Sequence, residues 1–406
     1  MKRIANNYIN TFKGLSKEVW WLSLITLINR AGTMVIPFLS LYLNKSLNFS
    51  IPQVGWIMSF FGLGSVVGTW LGGKLTDIIG YYKVMFVSLI LTGFLFVFLQ
   101  YISTFEMFCA VIFLVMLVAD AFRPAMFVAL SAYSKPENKT RSVTLIRLAI
   151  NLGFSAGPAV GGFIITGIGY SGLFWVDGIT CLLAAILLLQ VLNPKKAKVQ
   201  DEVKAENPVS VYKDNLFWVF FVAMFIFGFA FLQYFSTVPL YYKDVRMLTE
   251  LQIGLLMGLN GFFIFVFEMP LIKWLDKPEN SKIKMVGFGL FLVAMSFLAF
   301  NTTSWVGILI IGILCMTIGE MIAFPFSNAF AVERAKKGNQ GEYLALYAIA
   351  FSLSHIFSHN LGMQMIEKFG FETTWYFITL FSILGVIILF VLNYLLNKEK
   401  RSQFKK

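Results

Sequence analysis

Charged side chains are scarce in this sequence. Asp, Glu, Lys and Arg make up 13% of its 406 residues, hydrophobic residues make up 58%, and the mean hydropathy is +0.75. A water-soluble domain carries charge on about a quarter of its residues, so that class is excluded and the chain belongs in lipid. Cysteine is nearly missing. Cys109, Cys181 and Cys315 all lie inside apolar runs, and they imply neither a disulfide frame nor a cysteine metal site. A phosphate-binding loop is missing too: Gly68-Thr-Trp-Leu-Gly-Gly73-Lys74 imitates one, but Leu75 stands where a magnesium-holding Ser or Thr is needed. Any driving force would then be an ion gradient or the substrate's own gradient.

What the chain has is length of apolar run. A spanning helix needs roughly 20 mostly apolar residues, and twelve runs qualify: 19–43, 54–71, 84–102, 107–133, 142–166, 172–192, 216–239, 252–272, 285–303, 305–331, 342–367 and 373–396. They do not alternate as barrel strands would. The expected fold is an all-α integral membrane protein of twelve transmembrane helices. The first run is too long for a signal-peptide core and has no small-residue cleavage site, so it is expected to stay as a span. Asn48-Phe-Ser50 and Asn301-Thr-Thr303 have the form of glycosylation sequons, a common three-residue match.

The net charge of +12 is one of orientation. With a cytosolic N-terminus the inner segments carry 26 Lys and Arg, and the outer loops only Lys45, Lys243, Arg246 and Lys368. That asymmetry places both termini in the cytosol of a multi-pass cell-membrane protein. Anionic lipid, rather than nucleic acid, is the partner this charge suits.

The chain repeats itself. At an offset of 199, Gln53, Gly55, Met58, Gly62, Val67, Lys74 and Asp77 fall on Gln252, Gly254, Met257, Gly261, Val266, Lys273 and Asp276. Near an offset of 200, Asp120 falls on Glu320, Gly162 on Gly362 and Trp175 on Trp375. The expected layout is an amphipathic lead-in over 1–18, a six-helix bundle over 19–192, a cytosolic linker over 193–215, a second bundle over 216–396 and a basic tail over 397–406. Two such halves in parallel orientation imply a pseudo-two-fold axis along the membrane normal.

Gly73-Lys-Leu-Thr-Asp77-Ile-Ile-Gly80-Tyr-Tyr-Lys83 resembles the signature between spans two and three of the major facilitator superfamily, Gly-x-x-x-Asp-Arg/Lys-x-Gly-x-Arg/Lys-Arg/Lys. There Gly73 would allow close helix approach, Asp77 would face a helix N-terminus and Gly80 would make a tight turn. The resemblance implies a conformational latch built from Gly73, Asp77, Gly80 and Lys83. Ile78 and Tyr82 replace two of its usual bases. A second stretch, Gly153-Phe-Ser-Ala-Gly157-Pro158-Ala-Val-Gly161-Gly162, is similar to the antiporter signature of the same superfamily, with Thr144 at its first glycine. It implies a helix-bend motif, and packing of small residues explains it about as well. The resemblance covers essentially the whole chain, and the drug and metabolite proton antiporters are the branch it is most similar to. Their fourth-span arginine motif is not present in its ordinary form.

Polar groups inside the spans are costly and usually functional. Arg30 and Asn29 lie in the first span, Asp120 and Arg123 three apart in the fourth and able to pair, Arg147 and Asn151 in the fifth, and Glu320 in the tenth. In the superfamily, spans one, four, seven and ten line a central cavity, which implies substrate contacts for Arg30, Asn29, Arg123, Gln233 and Tyr234. Glu320, Asp120 and His355 are the candidates for proton coupling; a structural Asp120–Arg123 pair and a backbone-bonded Glu320 stay open. His355 and His359 share a helix face without a third ligand, so no metal is assigned. Asp177 and Glu268 lie near span ends, where snorkelling to water is expected.

The expected function is a secondary transporter, without cofactor and not an enzyme, that exports a small organic compound by proton-coupled antiport as a monomer in lipid. The alternatives are a proton symporter importing a metabolite or peptide, a membrane-embedded metal enzyme using His355, His359 and Glu320, and a non-transporting sensor.

Overall fold

A computed structural model describes residues 14–135, 138–194, 210–277, 279–335 and 340–403. The expected lead-in falls mostly outside the described residues, as do most of the linker and the end of the basic tail. The helices are α1 (Lys17–Ala31), α2 (Val35–Leu41), α3 (Ile51–Ile79), α4 (Tyr81–Leu99), α5 (Phe105–Tyr133), α6 (Lys139–Ile168) and α7 (Ser171–Val191). After the linker come α8 (Asn215–Gln233), α9 (Thr237–Asp244), α10 (Glu250–Leu275), α11 (Lys282–Phe300), α12 (Gly307–Ala335) and α13 (Gln340–Gln403).

Among the described residues, 11 segments are long and apolar enough to cross a bilayer, where the sequence gives twelve runs. The difference lies in α13, which carries the last two runs. Its helical conformation is interrupted at Gly370 (φ 77°, ψ 173°), a left-handed position that glycine adopts without a Cβ penalty. The kink at Gly370 divides α13 into two helical arms, one for each of the last two runs.

The first and seventh runs are broken inside, which the hydropathy pattern does not show. The first divides into α1 and α2 and the seventh into α8 and α9, and each second piece has proline at its third position, Pro37 and Pro239. A proline removes one backbone donor and its ring clashes with the carbonyl four residues earlier, so the helix yields just upstream. That carbonyl belongs to Thr33 in one case and Phe235 in the other, and both lie in the breaks. Pro124, Pro158, Pro270 and Pro325 instead sit within continuous helices.

The chain forms two compact units, one of residues 1–47, 60–200 and 248–265, the other of 48–59, 201–247 and 266–406. In the first, α1 packs on α6 and α7, and α4 on α5 and α7. The second repeats the pattern: α8 packs on α13, and α11 on α12 and α13. Its core holds an aromatic cluster in which Trp375 lies between Tyr241, Phe297, Phe300 and Phe371.

The repeat glycines explain the makeup of each unit. In the second, Gly55 lies so close to helix α13 that an added Cβ would come within 2.9 Å of Met363 Cβ and 3.1 Å of Asn360 Cα, and nearby Ser59 donates to Ile356 O at 2.7 Å. In the first, Gly254, Gly258 and Gly261 press on Pro158, Ala159 and Ser155 of α6. Gly55 and Gly254 are repeat partners, and each gives its helix a close approach within its own unit.

At one end of the second unit Arg334 binds Asp214 at 2.7 and 2.8 Å and Glu399 at 2.6 Å, while Tyr343 donates to Asp214 at 3.0 Å. Burial works to raise the Asp214 carboxyl, but hydrogen bonds and charge from Arg334, with Tyr343 and the Phe217 N–H, hold it below its ordinary 3.8.

Candidate functional site

Asn29, Arg30 and Asp120, picked out from three positions in the sequence, converge in the first unit on one small cavity. Its volume is about 30 Å³, and Thr33, Ser88, Thr92 and Cys181 also line it. That is room for about two water molecules, between these polar groups and an apolar wall of Ile36, Leu89, Phe96, Met116, Ala119 and Phe122.

The break between α1 and α2 places the first of these groups. At Gly32 an added Cβ would overlap Thr180, so only glycine lets the chain pass α7 there. Thr33 then turns back, bonding Arg30 O through its hydroxyl at 2.7 Å and its N–H at 3.2 Å. The first N–H groups of α2 have no helical partner. They find one in Asp177 of α7, whose Oδ1 accepts from Met34 N and Oδ2 from Val35 N, both at 2.9 Å. Asp177 is 0% exposed, so it does not snorkel to water as expected, and Glu268 is buried as well. A carboxylate at a helix start meets both the orphan donors and the positive end of the helix dipole.

Around the cavity the contacts are specific. Ser65 of α3 donates to Asp120 Oδ2, and Asn29 Nδ2 donates to Cys181 Sγ at 3.6 Å. The Arg30 guanidinium lies 5.7 Å from the Phe154 ring centroid of α6. Its Nε is buried with no hydrogen-bond partner among the described residues, and no direct salt bridge joins it to Asp120. Arg123 is exposed and does not pair with Asp120, although the three-residue spacing allows it: the carboxylate turns to Ser65 on a neighbouring helix.

The other candidates belong to the second unit. Gln233 is buried at the end of α8, where its Nε2 donates to Ser358 O at 2.8 Å and Oγ at 3.1 Å, and its Oε1 accepts from Thr237 at 2.8 Å. Tyr234 donates to Gly312 O at 3.4 Å. Glu320 is half-buried in α12. The His355 and His359 rings lie 5.8 Å apart, and neither nitrogen of His359, 1% exposed, has a hydrogen-bond partner among the described residues. Among the described residues no three His, Cys, Asp or Glu side chains gather to hold a metal ion.

The two signatures resolve into packing detail. Gly80 has φ 86° and makes the turn into α4, while Asp77 and Lys83 are exposed and not bonded to one another. A Cβ on Gly73 would meet nothing within 4 Å, so close approach is not its use. That role falls to Gly64, Gly68 and Gly72, against whose Cα positions the backbone of α5 lies at Phe113, Leu117 and Ala121. Their four-residue spacing was the available signal. Of the second signature, Gly153, Gly157 and Gly161 seat α6 against Arg30, Ala31, Met34 and Phe38 around the break in the first run, and Gly162 faces Glu250 and Leu251. Helix α6 continues through Pro158. Asp177, Thr92 and Ser65 were missed as site residues, since hydropathy ranks a single polar residue by its own run and not by the helix it faces.

Known proteins resemble this chain in sequence and in fold. The chain is 26% identical over 395 residues to YqjV of Bacillus subtilis (strain 168), an uncharacterized MFS-type transporter, covering 95% of this chain and 94% of that one. It is 20% identical to a Na(+), Li(+), K(+)/H(+) antiporter of Planococcus maritimus, covering 92% and 94%. In fold it is similar to a POT family transporter solved in complex with 5-aminolevulinic acid, with TM-score 0.80, 14% identity and coverage of 94% and 96%. The family model described as Major Facilitator Superfamily matches residues 22–359, from the first broken span to the second histidine, and the chain therefore belongs to the Major Facilitator Superfamily of membrane transporters.

Proposed function

We propose that this transporter is a proton-coupled antiporter that exports a small solute across the cell membrane by alternating access, with both termini in the cytosol and the two arms of α13 each crossing the bilayer to give twelve spans. The observation that carries the reading is the cavity shared by Asp120 and Arg30 inside a spanning bundle. A carboxylate and a guanidinium in lipid-embedded helices are costly to keep, and they are usually kept for function. Asp120 takes the proton and Arg30 holds the site's charge balance; Glu320 and His355, in the second unit, are the further proton candidates. A small organic compound is the cargo, reached through Asn29, Arg123, Gln233 or Tyr234. One relative favours a second reading of cargo: the Planococcus maritimus protein is a Na(+), Li(+), K(+)/H(+) antiporter, so the same antiport carrying Na⁺, Li⁺ or K⁺ is the alternative.

Everted membrane vesicles separate these. With an inside-acid gradient set by respiration, antiport moves added solute inward and protons outward, and acridine orange fluorescence recovers. Tetraphenylphosphonium represents the organic class, and NaCl, LiCl and KCl the cation class. Recovery with either set, lost in Asp120→Asn, supports antiport and names the cargo class. Further quenching on addition, or no response to any probe, refutes export by antiport.

A further inference from the structure

Arg30 and Asp120 line the same cavity, and yet no bond joins them. Among the described residues Arg30 Nε has no partner, and neither has Thr92 Oγ1, although Thr92 is only 2% exposed. Buried polar groups in native proteins are satisfied, by water where not by protein. Both residues line the cavity with Asp120, and its volume of about 30 Å³ fits about two waters. Ser65 occupies Asp120 Oδ2 and leaves Oδ1 with no protein donor among the described residues.

We propose that this cavity is a hydrated proton-exchange site: water held between Thr92 Oγ1 and Arg30 Nε bridges the guanidinium to Asp120 Oδ1, and Thr92 is the positioning residue for it. The proposal rests on the antiport reading for its biological use, but its chemistry does not need transport to be observed. A proton arriving as hydronium passes from the water oxygen to Oδ1, leaving a neutral carboxylic acid and a neutral water; the reverse step releases it. No other reactant is required. The Ser65 hydroxyl keeps its bond to Oδ2 in both states, so the carboxyl stays oriented while its charge changes.

The charged and titratable groups around Asp120 are few. Helix α1 brings Arg30, α7 brings the Cys181 thiol, and its own helix carries the exposed Arg123; the charged groups of α3 (Lys74, Asp77) and of α6 (Arg141, Arg147) are not in the cavity lining. Helix α4 lines the cavity with Ser88, Leu89, Thr92 and Phe96, none of which ionises, and Ser88 already donates to Val118 O at 2.6 Å. Thr92 is thus the hydroxyl on that side still able to hold water.

The test is infrared titration of the full-length protein in lipid nanodiscs, with protons as the only ligand. A carboxylic C=O band should grow on acidification and vanish in Asp120→Asn, which assigns it. Thr92→Val keeps the shape and removes the hydroxyl. Loss of a bridging water withdraws a hydrogen bond from the ionised form, so the midpoint should move to higher pH by roughly a fivefold change in proton affinity, the size of one hydrogen bond. Thr92→Ser should restore it. A midpoint unmoved or moved down, or the absence of a band removed by Asp120→Asn, overturns the proposal. Should Thr92→Val not fold, a water-resolving electron-microscopy map of the wild type decides: density between Thr92 Oγ1 and Asp120 supports it, and an empty cavity sinks it. Silent vesicles beside a shifting band would refute antiport alone.

Discussion

Asp177 shows how one side chain can settle a local structure that its own helix does not need. It belongs to α7 but completes α2, accepting from Met34 N and Val35 N with its two oxygens. Removing one partner of a buried pair leaves the other unsatisfied, at about 1–3 kcal/mol for each group. Asp177→Ala would orphan two donors in a fully buried position. We expect it to lower stability by about 2–5 kcal/mol on that basis, read as a fall in the thermal unfolding midpoint of the detergent-purified protein. Asp177→Asn, which retains one acceptor oxygen, should cost clearly less. Equal losses for the two, or no loss, would show that the cap does not hold the break. Because Arg30 is the next-to-last residue of α1, directly before that break, the same substitution should also blunt proton-driven fluorescence recovery. None of this was legible from position 177 itself. An aspartate near a span end reads as a residue reaching for water, and its real partners lie more than a hundred residues away in sequence.

At the scale of elements, glycine spacing mattered more than motif membership. Gly73 opens the signature and Gly72 stands just before it, with opposite surroundings: a Cβ on Gly72 would come within 2.5 Å of Ala121 Cα, and one on Gly73 would meet nothing within 4 Å among the described residues. Lipid does not drive helices together hydrophobically, so close backbone contact through small residues supplies much of the association. Gly72→Ala should therefore force α3 and α5 apart at a cost of about 1–3 kcal/mol, as overpacking does. Gly73→Ala should be neutral or slightly stabilising, since alanine is the better helix former. Thermal unfolding of the two variants side by side checks this; equal effects would contradict the seam. The helices themselves were plain in the sequence, because each is a long apolar run bounded by polar residues. The breaks at Pro37 and Pro239 were legible in principle. Pro124 and Pro158 show why proline alone does not suffice, for each lies in a helix that continues through it. Among candidate site residues, Asn29, Arg30 and Asp120 were identifiable as polar groups in apolar runs, whereas Thr92 was not, because threonine is ordinary in a span until its hydroxyl is left without a partner.

The molecule as a whole uses its duplication in a way that the repeat alone does not show. Residues 248–265 pack in the first unit and 48–59 in the second, and the two segments lie one repeat length apart. Within the first unit, Gly254, Gly258 and Gly261 cover Pro158, Ala159 and Ser155, and Ser155 donates to Gly258 O at 3.0 Å. A fragment ending in the linker near residue 205 would keep α1 to α7 but leave that face of α6 bare, with Ser155 stripped of its acceptor. Small residues whose partner backbone is missing cannot close a gap by rotamer changes, and the exposed seam invites wrong association. We expect residues 1–205 expressed alone to run as aggregate on size exclusion, and residues 206–406 likewise, since Gly55 and its contacts at Asn360 and Met363 are then lost. Co-expression of the two pieces restores both missing segments, and should yield a monodisperse complex that recovers fluorescence in vesicles as the intact chain does. If either fragment alone were monodisperse and unfolded with the midpoint of the intact protein, each six-run half would be self-sufficient, and the glycine seams would be contacts of convenience.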